Sequence, residues 1–226
     1  MSNQLRDLII ETQANFKADA QKAKATFVSS SALQDGLRSE VSIRQHSLTV
    51  DEPEALGGTD AGPNPVELVL AALGSCQEIT YRAYATVMGI PLDHVSVTME
   101  GDIDLRGFFG VDESVRAGYE AIRGTVHIES SASEEQLQQL RSAVNAHCPV
   151  LDILTNPVPV EMKMEIAQPV ATAASIAART YVRLHSRGYA QAAAWPEEFH
   201  RAWPEWHLLK RLCPRTGHLD HKCRYA

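Results

Sequence analysis

The sequence predicts an α+β fold: an antiparallel sheet wrapped around one long central helix. Three observations carry this expectation. Residues 64–89 hold an apolar-rich run with helix signals at both ends. Stretches of extended character lie on both sides of it, the clearest being Val158–Ile166 with its two-residue alternation. A second helical pattern opens at Ser133, so helices and strands are segregated rather than strictly alternating.

In chain order, residues 3–24 place Leu8, Ile9 and Phe16 among Ala, Gln and Lys, which predicts a helical arm. Ala25–Leu33 and Leu37–Val50 read as two extended stretches joined at Asp35-Gly36, a pair that supplies the positive φ of a tight hairpin. Asp51–Gly62 is rich in Gly, Pro and acids and predicts a loop. Asn64 then suits an N-cap, Pro65 the first helical position and Glu67 the third position of a capping box. The run reaches Met88 before Gly89 and Pro91 stop it, giving a helix about 36 Å long at 1.5 Å per residue. Its first half is apolar all round (VELVLAALGSC) and is expected to be buried from several sides.

Strands are expected at Val95–Leu105 and Ala121–Glu129, with an aromatic loop, Arg106–Gly110, between them. Ser133 and Gln136 form a second capping box, and Leu137, Leu140, Val144 and Cys148 share one helix face. Pro149–Leu154 predicts a short further helix, and Val158–Ile166 a final strand.

The chain has 226 residues and a net charge of −7, but the charge is unevenly placed. Residues 1–169 carry −12 and residues 170–226 carry +5, and the latter hold all three Trp, five of nine His and two of four Cys. The expected organisation is an arm at 1–24, a main domain at 25–167 and a separate segment at 168–226. An acidic body offers no field for a nucleic-acid backbone or an anionic membrane. No long apolar run predicts a membrane span, and Met1–Ala20 does not read as a secretory signal. The expected compartment is the cytoplasm, where cysteines rest as thiols. There is no phosphate loop, dinucleotide fingerprint or His-Glu-x-x-His helix, so neither cofactor nor metal is expected. Cys213, His218, His221 and Cys223 match no common structural-zinc spacing.

Cys76 and Cys148 are the candidate chemical residues. Each lies on an apolar helix face, where a thiol can be a small core hydrophobe. Cys148-Pro149 also sits where a new helix begins, a place that stabilises a thiolate. The residues alone leave both readings open.

The stretches DEPEALGGTDAGPNPVELVLAALGSC (51–76) and HCPVLDILTNPVPV (147–160) resemble the osmotically inducible protein C (OsmC) and organic hydroperoxide resistance family. The order of elements agrees over residues 25–167. The resemblance implies an intertwined homodimer with its central helices back to back. It also implies a cysteine peroxidase that reduces organic hydroperoxides at the expense of a dithiol reductant. Cys76 matches the peroxidatic cysteine and Cys148 the resolving one. Family members support the thiolate with an arginine in the first hairpin and a glutamate just after Asn-Pro. Here the glutamate position falls on Val66, with Glu67 next, and Gln34 stands where the arginine is usual. Arg38, Arg44 and Arg106 are the available cations, a pattern that resembles a divergent OsmC-like branch. A catalytically weak binding or scaffold protein with structural thiols is the alternative. His46, His127 and His147 are possible bases, His147 pointing about 100° away from Cys148 on a helix. Phe108-Phe109 suits either an apolar pocket or a loop anchor.

Overall fold

A computed structural model describes residues 2–166; the segment expected at 168–226, with its Trp, His and Cys residues, lies outside the described residues. The chain divides into two units, residues 1–160 and 161–226. The first unit runs α1 (Ser2–Ala18), β1 (Ser30–Leu33), β2 (Ser39–Ile43), β3 (His46–Val50), α2 (Pro65–Met88), β4 (His94–Ile103), α3 (Leu105–Phe108), β5 (Tyr119–Glu129), α4 (Glu134–His147) and α5 (Pro149–Thr155). The fold is α+β with antiparallel pairing throughout, in two sheets rather than the single sheet expected: β1-β2-β3 and β4-β5.

Both long helices start where their caps predict. The Asn64 side chain accepts from the Glu67 N–H at 2.8 Å, and the Glu67 carboxylate accepts from the Asn64 N–H at 2.8 Å. Ser133 and Gln136 repeat the arrangement at α4. Gly89 ends α2 in the left-handed conformation at φ 67°.

The core sits between the second half of α2, α4 and the β4–β5 sheet. Tyr81, Ala85, Leu140 and Val144 are buried with Ile90 and Leu92, and Val95, Val126 and Ile128 pack on them from the strands. Each such aliphatic side chain contributes about 1.5–3 kcal/mol relative to exposure. Polar ties align the layers. Glu78 accepts from the Val97 N–H at 3.1 Å, and Arg82 donates to the carbonyls of Leu92 and Asp93. At the other end the Tyr119 hydroxyl donates to the Val66 carbonyl at 2.9 Å.

Four local expectations are corrected. Leu37–Val50 is two strands, because Arg44 turns the chain at φ 55° and pairs Ile43 with His46; no Gly or Asn marks that turn. Arg106–Gly110 is not all loop: the Asp104 carboxylate accepts from the Arg106 N–H and caps the single helical turn of α3. The first half of α2 is buried on one side only. Ala71, Ala72, Ser75 and Ile79 form an open face, Ile79 being 70% exposed. Val158–Ile166 forms no strand, and residues 157–166 are all exposed. Alternation marks which face a strand would bury, but a strand exists only beside a ladder partner, and none of the described residues supplies one.

Asp51, 1% exposed, organises the loop before α2. Its carboxylate accepts from the Thr59 hydroxyl at 2.6 Å and from the backbone N–H groups of Thr59, Ala61 and Glu52. Gly58 closes the same turn, where a Cβ would lie 1.8 Å from the Glu52 carbonyl oxygen. The Thr59 hydroxyl bond and the backbone donors outweigh burial and hold the Asp51 carboxyl down at about 2. A folded value below the unfolded one, about 3.9, stabilises the fold above that pH and is lost as pH falls towards 2. Asp51→Asn is expected to lower the melting temperature at pH 7 by roughly 5 °C. Melts followed by circular dichroism should show the wild-type advantage shrinking between pH 4 and 2; equal melting temperatures at pH 7 would contradict the role given to this carboxylate.

Candidate functional site

Cys76 lies midway along α2, and Cys148 ends α4 while serving as the N-cap residue of α5. Their sulfurs are 3.3 Å apart, across 72 residues of chain. Cys148 is 1% exposed, whereas Cys76 is half-buried and reaches solvent. Of the pair, the helix-centre thiol is therefore the one open to a reactant.

Local geometry follows from the helix ends. The Cys148 N–H donates to the Val144 carbonyl at 2.9 Å, closing α4, and the Asp152 N–H donates to the Cys148 carbonyl at 3.0 Å, opening α5. Pro149 occupies the first position of α5, so the N–H of Val150 is the first that the helix leaves free, and it is directed at the Cys76 sulfur. The Thr80 hydroxyl donates to the Cys76 carbonyl at 2.7 Å. Burial pushes the Cys76 thiol above its ordinary value; the Val150 N–H and the Thr80 hydroxyl pull it down, and the neighbouring Cys148 sulfur raises it. Burial is the largest of these and the net direction is upward.

The expected supports stand elsewhere. Glu67 is exposed and engaged in the α2 capping box; burial pushes the Tyr119 phenol up, and the Glu67 charge adds to it. Arg38, half-buried, pairs with Asp35 at 3.5 Å. Arg44 is exposed at the β2–β3 turn. Arg106 pairs with Asp104 at 2.5 Å and Asp112 at 3.5 Å, holding α3 to the following loop. None of these four is among the groups that act on the Cys76 thiol. His147 bonds through Nδ1 to the Ala143 carbonyl and stacks on Tyr84 at 5.0 Å, and Phe108 and Phe109 meet edge to face at 5.0 Å. Among the described residues no group of His, Cys, Asp and Glu could hold a metal ion.

Beside the thiols a groove of about 600 Å³ runs between α2, α4, α5 and the β4–β5 sheet. Leu73 and Gln77, which flank Cys76 on α2, line it, as do Arg141 and Asn145 of α4 and Leu151 of α5. Sequence reasoning missed this groove, as it missed Val150 and Thr80. The signal available was a pair of polar residues one turn apart on each helix, Gln77/Tyr81 and Arg141/Asn145.

Residues 58–163 match the family described as OsmC-like protein. No curated protein matches the chain. Among solved structures, the OsmC like protein from Mycoplasma pneumoniae is similar at 17% identity, over 64% of this chain and 97% of that one, with a TM-score of 0.51. An organic hydroperoxide resistance protein OsmC from Legionella pneumophila is similar at 21% identity, over 63% and 98%, with a TM-score of 0.47. The motifs around the two cysteines, the matched residues and the shared fold agree: over residues 58–163 the chain carries an OsmC-like domain.

Proposed function

We propose that this protein is a homodimeric peroxidase that reduces organic hydroperoxides with its own thiols, in the cytoplasm and at the expense of a dithiol reductant. The observation that carries the reading is the 3.3 Å approach of one buried and one accessible sulfur. In the first step the Cys76 thiolate attacks the outer oxygen of the hydroperoxide. The O–O bond breaks, the alkoxide takes a proton and leaves as alcohol, and Cys76 becomes a sulfenic acid. Cys148 then attacks that sulfur, water leaves and a disulfide forms, needing only about 1.3 Å of closure to reach a bond near 2.05 Å. A dithiol returns both cysteines to thiols.

Two open surfaces support the homodimer. β1, β2 and β3 leave ten of their fourteen residues exposed, Leu33, Ile43 and Leu48 included, and a three-stranded sheet this open buries too little to persist alone. The small-residue face of α2 is open as well. Among the described residues no helix is long and apolar enough to cross a membrane.

One observation favours the alternative of a weakly catalytic binding or scaffold protein: the Cys76 thiol is raised and none of Arg38, Arg44 and Arg106 acts on it. Turnover separates the two. Cumene hydroperoxide should be consumed catalytically with a dithiol, Cys76→Ser should fall to background, and Cys148→Ser should stop after one turnover with a sulfenic acid that dimedone traps. Wild-type protein as inert as Cys76→Ser would support the scaffold reading instead. Because the reacting form is a thiolate with a raised pKa, kcat/KM should still be rising at about pH 8.5. A profile flat from about pH 7 would mean that a cation absent from this arrangement lowers it. Sedimentation at micromolar concentration should give a dimer; a monomer would remove that half of the proposal.

A further inference from the structure

The 3.3 Å between the Cys76 and Cys148 sulfurs also decides which kind of atom could bridge them. At a thiolate bond length of about 2.3 Å, that separation subtends about 92° at a shared centre. A tetrahedral zinc ion at the same bond length needs sulfurs about 3.8 Å apart and two further ligands. A linear two-coordinate ion needs them on opposite sides, about 4.6 Å apart. Among the described residues no group of three or more His, Cys, Asp and Glu could hold a metal ion. A pyramidal three-coordinate centre is different, because its lone pair presses the bond angles towards a right angle. Trivalent arsenic is such a centre, and it fits between these sulfurs as they stand.

Charge points the same way. Cys148 is 1% exposed and Cys76 half-buried, and no arginine or lysine is among the groups that act on the Cys76 thiol. Burial here disfavours thiolates, so an ionic site made of two thiolates and a dication would bring charge into a setting that resists it. A covalent adduct of two sulfurs with trivalent arsenic is neutral and escapes that cost. Cys76 reaches solvent, so the third bond of the arsenic has an open side on which to carry a small organic group.

We propose that Cys76 and Cys148 form a binding site for monosubstituted trivalent arsenicals, the arsenic bridging the two sulfurs and its organic group turned to the open side of Cys76. Each sulfur displaces one hydroxyl of an arsonous acid. Two As–O bonds break, two As–S bonds form, and each thiol proton leaves with a hydroxide as water. Arsenic stays trivalent and both sulfurs keep the thiol oxidation level, so the step needs neither oxidant nor reductant. The site shares its cysteines with the peroxidase reading but does not rest on turnover: a chain inert to hydroperoxides binds the arsenical equally well.

Intact-mass spectrometry of the reduced full chain, mixed at micromolar concentration with methylarsonous acid and no peroxide, tests this. One methylarsenic group per chain is expected, replacing two hydrogens. Digestion of the wild-type adduct should yield a Cys76 peptide and a Cys148 peptide joined through arsenic, a result that needs no variant to fold. Attachment at two points exceeds attachment at one by about 10²–10⁴-fold, so Cys76→Ser and Cys148→Ala should each need at least about a hundredfold more arsenical. The double variant Cys213→Ser/Cys223→Ser should bind as wild type, and an equal concentration of zinc should not compete. A chain left unmodified by an equivalent of arsenical, an adduct mapping to Cys213 or Cys223 instead, undiminished binding in Cys76→Ser, or displacement by zinc would each overturn the proposal.

Discussion

The packing of α2 against α4 sets the distance between two sulfurs that lie 72 residues apart in the chain. Each helix begins at a capping box, so neither start is free to slide. Tyr81 and Ala85 then meet Leu140 and Val144 in the most deeply buried part of the protein, which fixes rotation as well as height. A one-residue slip of α4 would turn Cys148 by about 100° and carry its sulfur away from Cys76. The core that stabilises the domain is therefore the same structure that holds the thiols in register.

The end of α4 adds a second constraint. Cys148 closes one helix and opens the next, and Pro149 enforces the break while leaving the Val150 N–H free. That N–H is directed at Cys76 and favours its thiolate, but burial is larger and the thiol remains raised. An apolar setting that buries Cys148 and half of Cys76 resists, for the same reason, the charge that the chemistry needs. Two of the arginines that the sequence offered as supports are engaged in ion pairs of their own, Arg106 with Asp104 and Asp112 and Arg38 with Asp35.

Much of this was legible in the residues. Asn64, Glu67, Ser133, Gln136 and Gly89 act over three or four positions, and local chemistry of that kind can be read without knowing the fold. Other features depend on partners distant in sequence. Asp51 looks like one acid among several in a polar loop until Thr59 and Ala61 fold back on it. Gln77 and Arg141 converge only once α2 and α4 are packed. The alternation at Val158–Ile166 was equally visible, yet it specifies a face and not a neighbour, and no strand forms there. The open side of α2 teaches the same point: an all-round apolar helix states how much surface needs covering, and not which element covers it. The pairing of Cys76 with Cys148 came from the resemblance of motifs rather than from spacing, and the structure adds the distance.

The most direct test is a titration of the reduced full chain with one equivalent of cumene hydroperoxide, followed by peptide mapping under non-reducing conditions. The account predicts one peptide pair joined through Cys76 and Cys148, formed within a single chain, with Cys213 and Cys223 still alkylatable. A Cys76 that stays a free thiol, or oxidation that falls on Cys213 or Cys223 first, would contradict it.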